Sequence, residues 1–253
     1  MPRPSLACFA SIVFDCDSTL VAVEGIDELA RGRHADAIRA LTDAAMQGEV
    51  PLEEVYGRRL DIIRPTRGQV DDIGRRYVDA LVPDAREVVA ALLWLGKTVR
   101  VVSGGLRPPV EHVARALGLT TNDVAAVAID FDAGGAYVGF ESASPLTRNG
   151  GKPGVIEAWH LPRPSMLVGD GHTDLEARTV VDTFVAYMGV VWRPRVAEEA
   201  DVLLRAPSLA PVLALAASEE ERERLRTTEW AGVLAWGEEL LAAVLADPSR
   251  EER

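Results

Sequence analysis

The amino-acid sequence predicts an α/β fold with a mainly parallel sheet flanked by helices, and with a small helical subdomain inserted after the first strand. Three observations support this prediction. Short apolar runs recur along the chain and end at small or acidic residues, helical patterns lie between them, and one N-terminal stretch has helical periodicity without a convincing strand. Strands that alternate with helices are typical of parallel sheets, in which ligands bind at the carboxyl ends of the strands.

The strands of the main domain are predicted at residues 11–14, 98–102, 166–168 and 183–188. Each run is β-branched or otherwise apolar on both faces, as buried parallel strands are. The apolar spacing predicts helices at residues 86–95, 108–117, 153–159 and 174–180. Alternating apolar residues in 124–140, around Gly134-Gly135, predict a β-hairpin.

The inserted subdomain is predicted from helical segments at residues 24–31, 35–47, 51–63 and 67–81, which Gly48 and Pro65 separate. We therefore expect residues 1–22 and 82–217 to form a core, residues 23–81 a helical cap, and residues 218–253 a C-terminal helical extension. Ser218 and Glu221 form a capping-box pattern at the start of that extension. The apolar stripe that follows either packs on its own domain or forms a homodimer contact, and the sequence leaves both open.

The composition excludes several classes of function. The 253 residues include 27 basic and 39 acidic side chains, and this net charge of −12 disfavours a protein that mainly binds nucleic acid or an anionic membrane. We find neither an apolar run as long as a membrane span nor a secretory signal, so we expect a cytoplasmic protein whose Cys8 and Cys16 are reduced thiols. The chain has two lysines, Lys97, expected at the surface, and Lys152, which lies in a motif.

The first motif that carries chemistry is Asp15-Cys16-Asp17-Ser18-Thr19, directly after a predicted buried strand. At the end of a strand the chain curls, so both carboxylates can face one crevice. Hydrolytic phosphoryl transfer needs such a pair, because one carboxylate attacks phosphorus and the other protonates the leaving oxygen. On its own the motif is also compatible with a turn that has capping carboxylates.

Three later segments favour the phosphoryl-transfer interpretation. Ser103-Gly104-Gly105 follows a second strand and offers a hydroxyl and backbone N–H groups to a phosphate. Lys152 precedes a helix and supplies the cation that a carboxylate needs before it can attack a phosphate dianion. The segment from Gly169 to Asp174 offers Asp170 and Asp174 as hard oxygen ligands, which suit Mg²⁺.

The order of these four motifs resembles the haloacid dehalogenase-like phosphatases, and the match is closer to the phosphoserine phosphatase family. That family's nucleophile motif resembles residues 14–20 and the stretch after it resembles residues 24–30. Its helical cap resembles Met46-x-Gly-x-Val-Pro51, Arg59-Leu60 and Pro65-x-Arg67-x-Gln69-Val70. The likeness runs from about Ser11 to Leu215. It implies a Rossmann-like core with a four-helix cap, and Mg²⁺-dependent hydrolysis of O-phospho-L-serine, the last step of serine synthesis.

The resemblance also implies a role for individual residues. Asp15 would be the nucleophile, Asp17 the general acid and base, and Lys152 would hold the phosphoryl group. The remaining substrate contacts would come from Glu24, Met46, Arg59, Ser103, Gly104 and Gly105, with Glu24 on the ammonium group and Arg59 on the carboxylate. Mg²⁺ would be held by Asp15, by the backbone carbonyl of Asp17 and by Asp170, with Thr173 and Asp174 supporting these ligands from outside.

Two departures and three alternatives accompany this hypothesis. His172 stands where the family more often has a small residue, and Leu52 replaces an aromatic residue found in some relatives. The substrate could instead be another small phosphomonoester, or the phosphoryl group could pass to an alcohol such as homoserine. A non-catalytic phosphate-binding protein is a third alternative, although such a protein has no use for a nucleophile and an acid.

Overall fold

A computed structural model of the chain describes residues 8–30 and 34–245. The parts of the predicted core, cap and extension at residues 1–7, 31–33 and 246–253 lie outside the described residues. The strands are β1 (Ser11–Phe14), β2 (Thr98–Leu106), β3 (Val124–Val127), β4 (Ile129–Phe131), β5 (Tyr137–Phe140), β6 (Ser165–Gly169), β7 (Thr183–Tyr187) and β8 (Val202–Leu204).

Helices cover both faces of the sheet region and fill the N-terminal insertion. The α-helices are α1 (Gly25–Leu29), α2 (Ala35–Met46), α3 (Leu52–Ile63), α4 (Arg67–Asp79), α5 (Ala85–Trp94), α6 (Arg107–Ala116), α7 (Gly151–Ala158), α8 (His172–Glu176), α9 (Pro194–Glu199), α10 (Ala210–Ala216), α11 (Glu219–Leu225) and α12 (Ala231–Leu245).

Six strands form one parallel sheet in the order β3-β2-β1-β6-β7-β8. Every residue of β1 and of β6 is buried, because both strands have neighbours on either side and helices on either face. The apolar runs without polar alternation are therefore explained by burial of both faces. The predicted α/β fold with a mainly parallel sheet is confirmed.

The predicted hairpin is only partly correct. Residues Val124–Val127 pair in parallel with β2 at the edge of the main sheet, and only β4 and β5 form the antiparallel hairpin. Alternation of apolar residues identifies a strand but not its partner, so the sequence pattern could not separate β3 from the hairpin. The prediction also missed β8, which has three residues.

The helical insertion, α1–α4, enters and leaves the sheet region at one place. The backbone N–H of Ala22 donates to the carbonyl of Ala80 at 2.8 Å, and that of Val82 donates to Leu20 at 3.0 Å. Helix α4 begins at a capping box formed by Thr66 and Gln69, and it packs along α6. Backbone hydrogen bonds thus join the segment that leads into the insertion to the segment that leads out of it.

The C-terminal helices pack on the same chain. Ser218 caps α11 and forms the predicted capping box with Glu221. Helix α12 lies against α10, and Leu234 and Leu241 are buried there. Within the part of the chain that the structure describes, no helix is long and apolar enough to cross a membrane.

The expectation that Lys97 lies at the surface is wrong. Its ammonium group is buried and contacts both carboxylate oxygens of Glu221 at 2.9 Å and the carbonyl of Phe9 at 2.9 Å. Lys97 precedes β2 and Glu221 lies in α11, so this ion pair ties the C-terminal helices to the sheet. A sequence pattern has no way to show such a partner 124 residues away.

Candidate active site

Two carboxylates from distant motifs, the predicted nucleophile Asp15 and the predicted metal ligand Asp170, lie close together because their strands are neighbours. Phe14, the last residue of β1, is in register with Val168 of β6, and the backbone N–H of Asp15 donates to the Val168 carbonyl at 2.9 Å. Asp15 therefore leaves the same edge of the sheet as Asp170, which follows β6. This is the edge at which parallel α/β sheets bind ligands.

One cavity at this edge is lined by most of the predicted site residues. They are Asp15, Asp17, Glu24, Met46, Arg59, Ser103, Gly104, Gly105, Lys152, Asp170 and Thr173. Asp174 does not line the cavity but is fully buried next to it. Leu52, which replaces the expected aromatic residue, lines the cavity, as does Tyr56, which the sequence analysis did not select.

Lys152 bridges two carboxylates at the base of the cavity. Its Nζ lies 2.9 Å from Oδ1 of Asp15 and 2.6 Å from Oδ1 of Asp174, and the side chain is 4% exposed. Burial disfavours the charged ammonium, but the two carboxylates outweigh it and raise the pKa of Lys152. Lys152 therefore stays positive and faces the predicted nucleophile.

Three carboxylates form a group that could hold a divalent cation. Oxygen atoms of Asp15, Asp170 and Asp174 lie within 4.8 Å of one another, and all three residues are buried. Burial and the neighbouring carboxylates raise the pKa of Asp15, and the cation beside its Oδ1 is Lys152, which Asp15 shares with Asp174. Several hard carboxylate oxygens buried around one shared lysine fit a bound divalent cation. The side chain of Asp17 is outside this group, and the predicted contribution of its backbone carbonyl stays a prediction.

The carboxylate of Asp17 is held apart from the others. The hydroxyl of Tyr77 donates to its Oδ1, and the backbone N–H of Gly25 also donates to it. Burial raises the pKa of Asp17 to about 6, although both hydrogen bonds favour the ionised form. A carboxyl group with this pKa can give and take a proton near neutral pH, as the predicted acid and base must.

The two residues expected to bind an amino acid have opposite charges. Ser18, in the left-handed conformation with a φ of 55°, donates from its Oγ to Glu24 Oε1 at 2.8 Å. Arg59 is 3% exposed, donates to Thr42 Oγ1 at 2.7 Å, and keeps its Nε without a partner. Thr42 in turn donates to Asp27 Oδ1 at 2.5 Å. The insertion thus presents a fixed guanidinium with an unused donor.

Two further contacts shape the segment from Ser103 to Gly105 at the end of β2. Its hydroxyl accepts from the backbone N–H of Gly105 at 2.9 Å, and Tyr56 donates to the carbonyl of Gly104 at 2.8 Å. A side chain at Gly105 would place its Cβ 3.0 Å from the Ser103 hydroxyl and 3.1 Å from Asp17 Oδ2. Strand β2 runs on through these residues to Leu106, past the end predicted at residue 102, with a register shift against β3.

Arg193, a side chain that is 2% exposed, was not selected by any sequence motif. Its Nε donates to Asp170 Oδ2 at 2.8 Å, and its other guanidinium nitrogens lie 3.5 Å from Glu24 and 3.8 Å from Asp43. Arg193 follows β7 just before α9, so it belongs to the same edge of the sheet. The strand-end rule that selected Asp15 and Asp170 could have found it, had it been applied after the predicted strand at 183–188.

His172 joins the loop of Asp170 to the insertion. Its ring packs on Gly48, where an added Cβ would lie 2.8 Å from the imidazole and where φ is +75°. Its Nε2 is 3.6 Å from Glu176, and its buried Nδ1 has no partner. The side chain of His172 is 13% exposed, because the α2–α3 loop covers it.

Comparison with known proteins agrees with this geometry. Residues 12–177 match the family described as haloacid dehalogenase-like hydrolase. The chain is 38% identical over 203 residues to the phosphoserine phosphatase of Bos taurus, covering 78% of this chain and 90% of that protein. It is 36% identical over 200 residues to the chloroplastic phosphoserine phosphatase of Arabidopsis thaliana, covering 77% of this chain and 68% of the relative.

A solved structure agrees as well. One described as a phospho-aspartyl intermediate analogue of phosphoserine phosphatase superposes with a TM-score of 0.70 at 25% identity, and the match covers 82% of this chain and 98% of the other. The chain therefore belongs to the haloacid dehalogenase-like hydrolase family, in its phosphoserine phosphatase branch.

Proposed function

We propose that this protein hydrolyses O-phospho-L-serine to L-serine and phosphate through a phosphorylated Asp15. The observation that carries this proposal is one cavity that contains a buried carboxylate against a lysine, a second carboxylate with a pKa of about 6, and an acid and a guanidinium of opposite charge. The relatives named phosphoserine phosphatase support the same substrate.

The chemistry follows from the positions of the side chains. A carboxylate oxygen of Asp15 attacks phosphorus, the bond from phosphorus to the serine oxygen breaks, and Asp17 gives that oxygen a proton. Asp17, now ionised, takes a proton from the water that attacks the phosphorylated Asp15. The water oxygen becomes part of free phosphate and Asp15 is restored. Lys152 neutralises charge on the phosphoryl group throughout, and Ser103 with its neighbouring backbone N–H groups holds the phosphoryl oxygens.

The best-fitting cation for the carboxylate group is Mg²⁺. Asp15 and Asp170 would hold it with the Asp17 carbonyl, while Asp174 orients Lys152 and supports the site. When bound, Mg²⁺ would neutralise phosphate charge and so ease the approach of a carboxylate.

Substrate selection would come from the insertion. Glu24 would pair with the substrate ammonium and Arg59 would offer its free Nε to the carboxylate, since a guanidinium fork fits a carboxylate. A sugar phosphate has neither group, so it would give Glu24 no ammonium and would leave the Nε of Arg59 without an acceptor. We keep the predicted cytoplasmic location and the predicted homodimer as hypotheses, although the apolar face of α12 already packs on α10 of its own chain.

The test is phosphate release from phosphoserine, phosphothreonine and a sugar phosphate, with Mg²⁺ and with a chelator. We expect preference for phosphoserine and loss of activity with chelator and in Asp15→Asn. Equal rates on the three substrates would refute the specificity, and full activity of Asp15→Asn would refute the mechanism. Homoserine added to the assay distinguishes hydrolysis from phosphotransfer, because only a transferase forms phosphohomoserine.

A further inference from the structure

Tyr77 is a buried residue beside the reaction centre that no sequence motif selects. It lies in α4, it is 1% exposed, and its hydroxyl donates to Oδ1 of Asp17. The other oxygen, Oδ2, faces Gly105, where an added Cβ would approach it to 3.1 Å. One oxygen of the carboxyl group is thus occupied by Tyr77, and the other points to the phosphate side of the cavity.

The surroundings of Tyr77 keep its hydroxyl in place. A Cβ at Gly25 would lie 2.0 Å from the Tyr77 oxygen, so only glycine at that position leaves room for the ring. One turn earlier in α4, a Cβ at Gly74 would lie 3.0 Å from the ring of His112, which shows how closely α4 lies on α6. Helix α4 is therefore fixed to a helix of the sheet region, and Tyr77 cannot swing away from Asp17 without moving that contact.

We propose that Tyr77 is a positioning residue that holds the carboxyl group of Asp17 in the orientation needed for proton transfer to the leaving oxygen. The inference rests on the proposed function, because it needs Asp17 as the acid. During the transfer the proton on Oδ2 passes to the leaving oxygen, whose bond to phosphorus breaks, and the negative charge stays on Asp17. Tyr77 keeps its own proton and its bond to Oδ1. Without that bond the backbone N–H of Gly25 remains as a donor to the carboxyl group, which then rotates more freely, so fewer encounters have the proton aligned.

The leaving group distinguishes positioning of an acid from a general structural role. An alkyl oxygen such as that of serine leaves as a strong base and needs the proton, whereas the acetate of acetyl phosphate leaves without one. Both substrates use the same nucleophile and the same phosphate contacts, and both pass through the hydrolysis of phosphorylated Asp15, in which Asp17 acts as the base. The comparison therefore uses kcat/KM, which includes only the steps up to release of the first leaving group. A defect in Asp17 alignment lowers kcat/KM for phosphoserine and spares kcat/KM for acetyl phosphate, while a general defect lowers both.

The experiment compares kcat/KM for these two substrates in wild type, Tyr77→Phe and Tyr56→Phe. Tyr77→Phe keeps the ring and removes only the donor. General acid catalysis contributes roughly 10²–10⁴-fold, so we expect partial misalignment to lower kcat/KM for phosphoserine about 10-fold, with kcat/KM for acetyl phosphate within about 2-fold of wild type. Tyr56→Phe is the matched control, since its hydroxyl donates to Gly104 and not to Asp17. It should change both substrates by the same factor.

Equal loss on both substrates in Tyr77→Phe, or no loss on phosphoserine, would overturn the inference. Asp17→Asn separates this failure from failure of the proposed function. If Asp17→Asn spares kcat/KM for acetyl phosphate and Tyr77→Phe does not, only the role of Tyr77 is refuted. If Asp17→Asn lowers kcat/KM for both substrates equally, the acid role of Asp17 is refuted as well. Should the wild type prefer a different alkyl phosphate, that compound replaces phosphoserine and the comparison still holds.

Discussion

Replacement of Arg193 by methionine is the most demanding test of how the site is held together. Arg193 is 2% exposed, and its guanidinium lies 2.8 Å from Asp170 and 3.5 Å from Glu24. Arg193→Met keeps most of the apolar stem and removes the charge. Asp170 and Glu24 then remain buried without their cation.

The size of the effect follows from these distances. At an effective dielectric constant of 20, a charge pair at 2.8 Å is worth about 6 kcal/mol, and one at 3.5 Å somewhat less. The full Coulomb energy is not lost in the variant. Burial already raises the pKa of both Asp170 and Glu24, so these carboxylates can take up protons when Arg193 is absent and avoid being buried as unpaired charges. Loss of one partner from a buried pair destabilises by roughly 3–5 kcal/mol. For a chain of this size that corresponds to a melting temperature lower by about 6–20 °C.

The measurement is thermal and urea unfolding followed by circular dichroism at neutral pH without added metal. Arg195→Met is the matched control, because Arg195 pairs with Glu199 at 3.1 Å on the same helix but is 56% exposed. An exposed pair contributes about 0–1 kcal/mol, so the control should melt close to wild type. Arg193→Lys should recover part of the loss, since it restores charge without the fork. In a chain of this size, a loss of 1 kcal/mol in unfolding free energy lowers the melting temperature by about 2 °C. If the melting temperature of Arg193→Met lies within that ~2 °C of the control, the buried pair does not stabilise the fold.

Three other predictions follow from single contacts. Gly237→Ala should destabilise by about 1–3 kcal/mol in urea unfolding, because its Cβ would lie 2.2 Å from a carbonyl of α10, whereas Gly232→Ala in the same helix meets nothing within 4 Å and should be neutral or slightly stabilising. Thr42→Val removes the acceptor that holds the Arg59 guanidinium, so it should raise KM for phosphoserine about 5-fold. The KM for phosphoethanolamine, which has no carboxylate, should stay unchanged, and an equal rise for both substrates would contradict the role of Arg59. Burial raises the pKa of Glu221, but hydrogen bonds from the backbone of Ser218 and from Lys97 outweigh burial, so the pKa is lowered. The ion pair of Glu221 with Lys97 therefore stabilises the fold above about pH 4, and this contribution is lost as pH falls through the lowered pKa of Glu221. The difference in unfolding free energy between wild type and Glu221→Gln should therefore shrink on acidification, and a constant difference would disagree.

The sequence was most informative where local chemistry repeats a general rule. Buried parallel strands leave continuous apolar runs, and the residues that follow them reach one edge of the sheet, so Asp15, Ser103 and Asp170 could be placed in one site from the sequence. The capping box at Ser218 is equally local, because its hydrogen bonds span three residues. Patterns of this kind need no knowledge of distant partners.

The rest depends on contacts between residues far apart in the chain. Tyr77 contacts Asp17 across 60 positions, and Arg193 contacts Asp170 across 23. Neither has a spacing that distinguishes it from an ordinary core tyrosine or a surface arginine. The parallel pairing of β3 was missed for a related reason, since the identity of a strand's neighbour is decided by packing of the whole sheet.

The paired backbone at the root of the insertion has a consequence for the thermodynamics of the whole chain. The hydrogen bonds between Ala22 and Ala80 and between Leu20 and Val82 bring the two ends of a 57-residue excursion together, from position 23 through position 79. The conformational entropy of joining two ends grows only with the logarithm of the length between them. The entropy of loop closure is therefore almost the same for this insertion as for a short loop. The number of residues between Ala22 and Ala80 has little effect, through this term, on the free energy of unfolding of the sheet. Helices of the insertion other than α4, which packs on α6 and carries Tyr77, can therefore lengthen, shorten or change sequence to fit a different phosphomonoester while the strands that carry the nucleophile stay as they are.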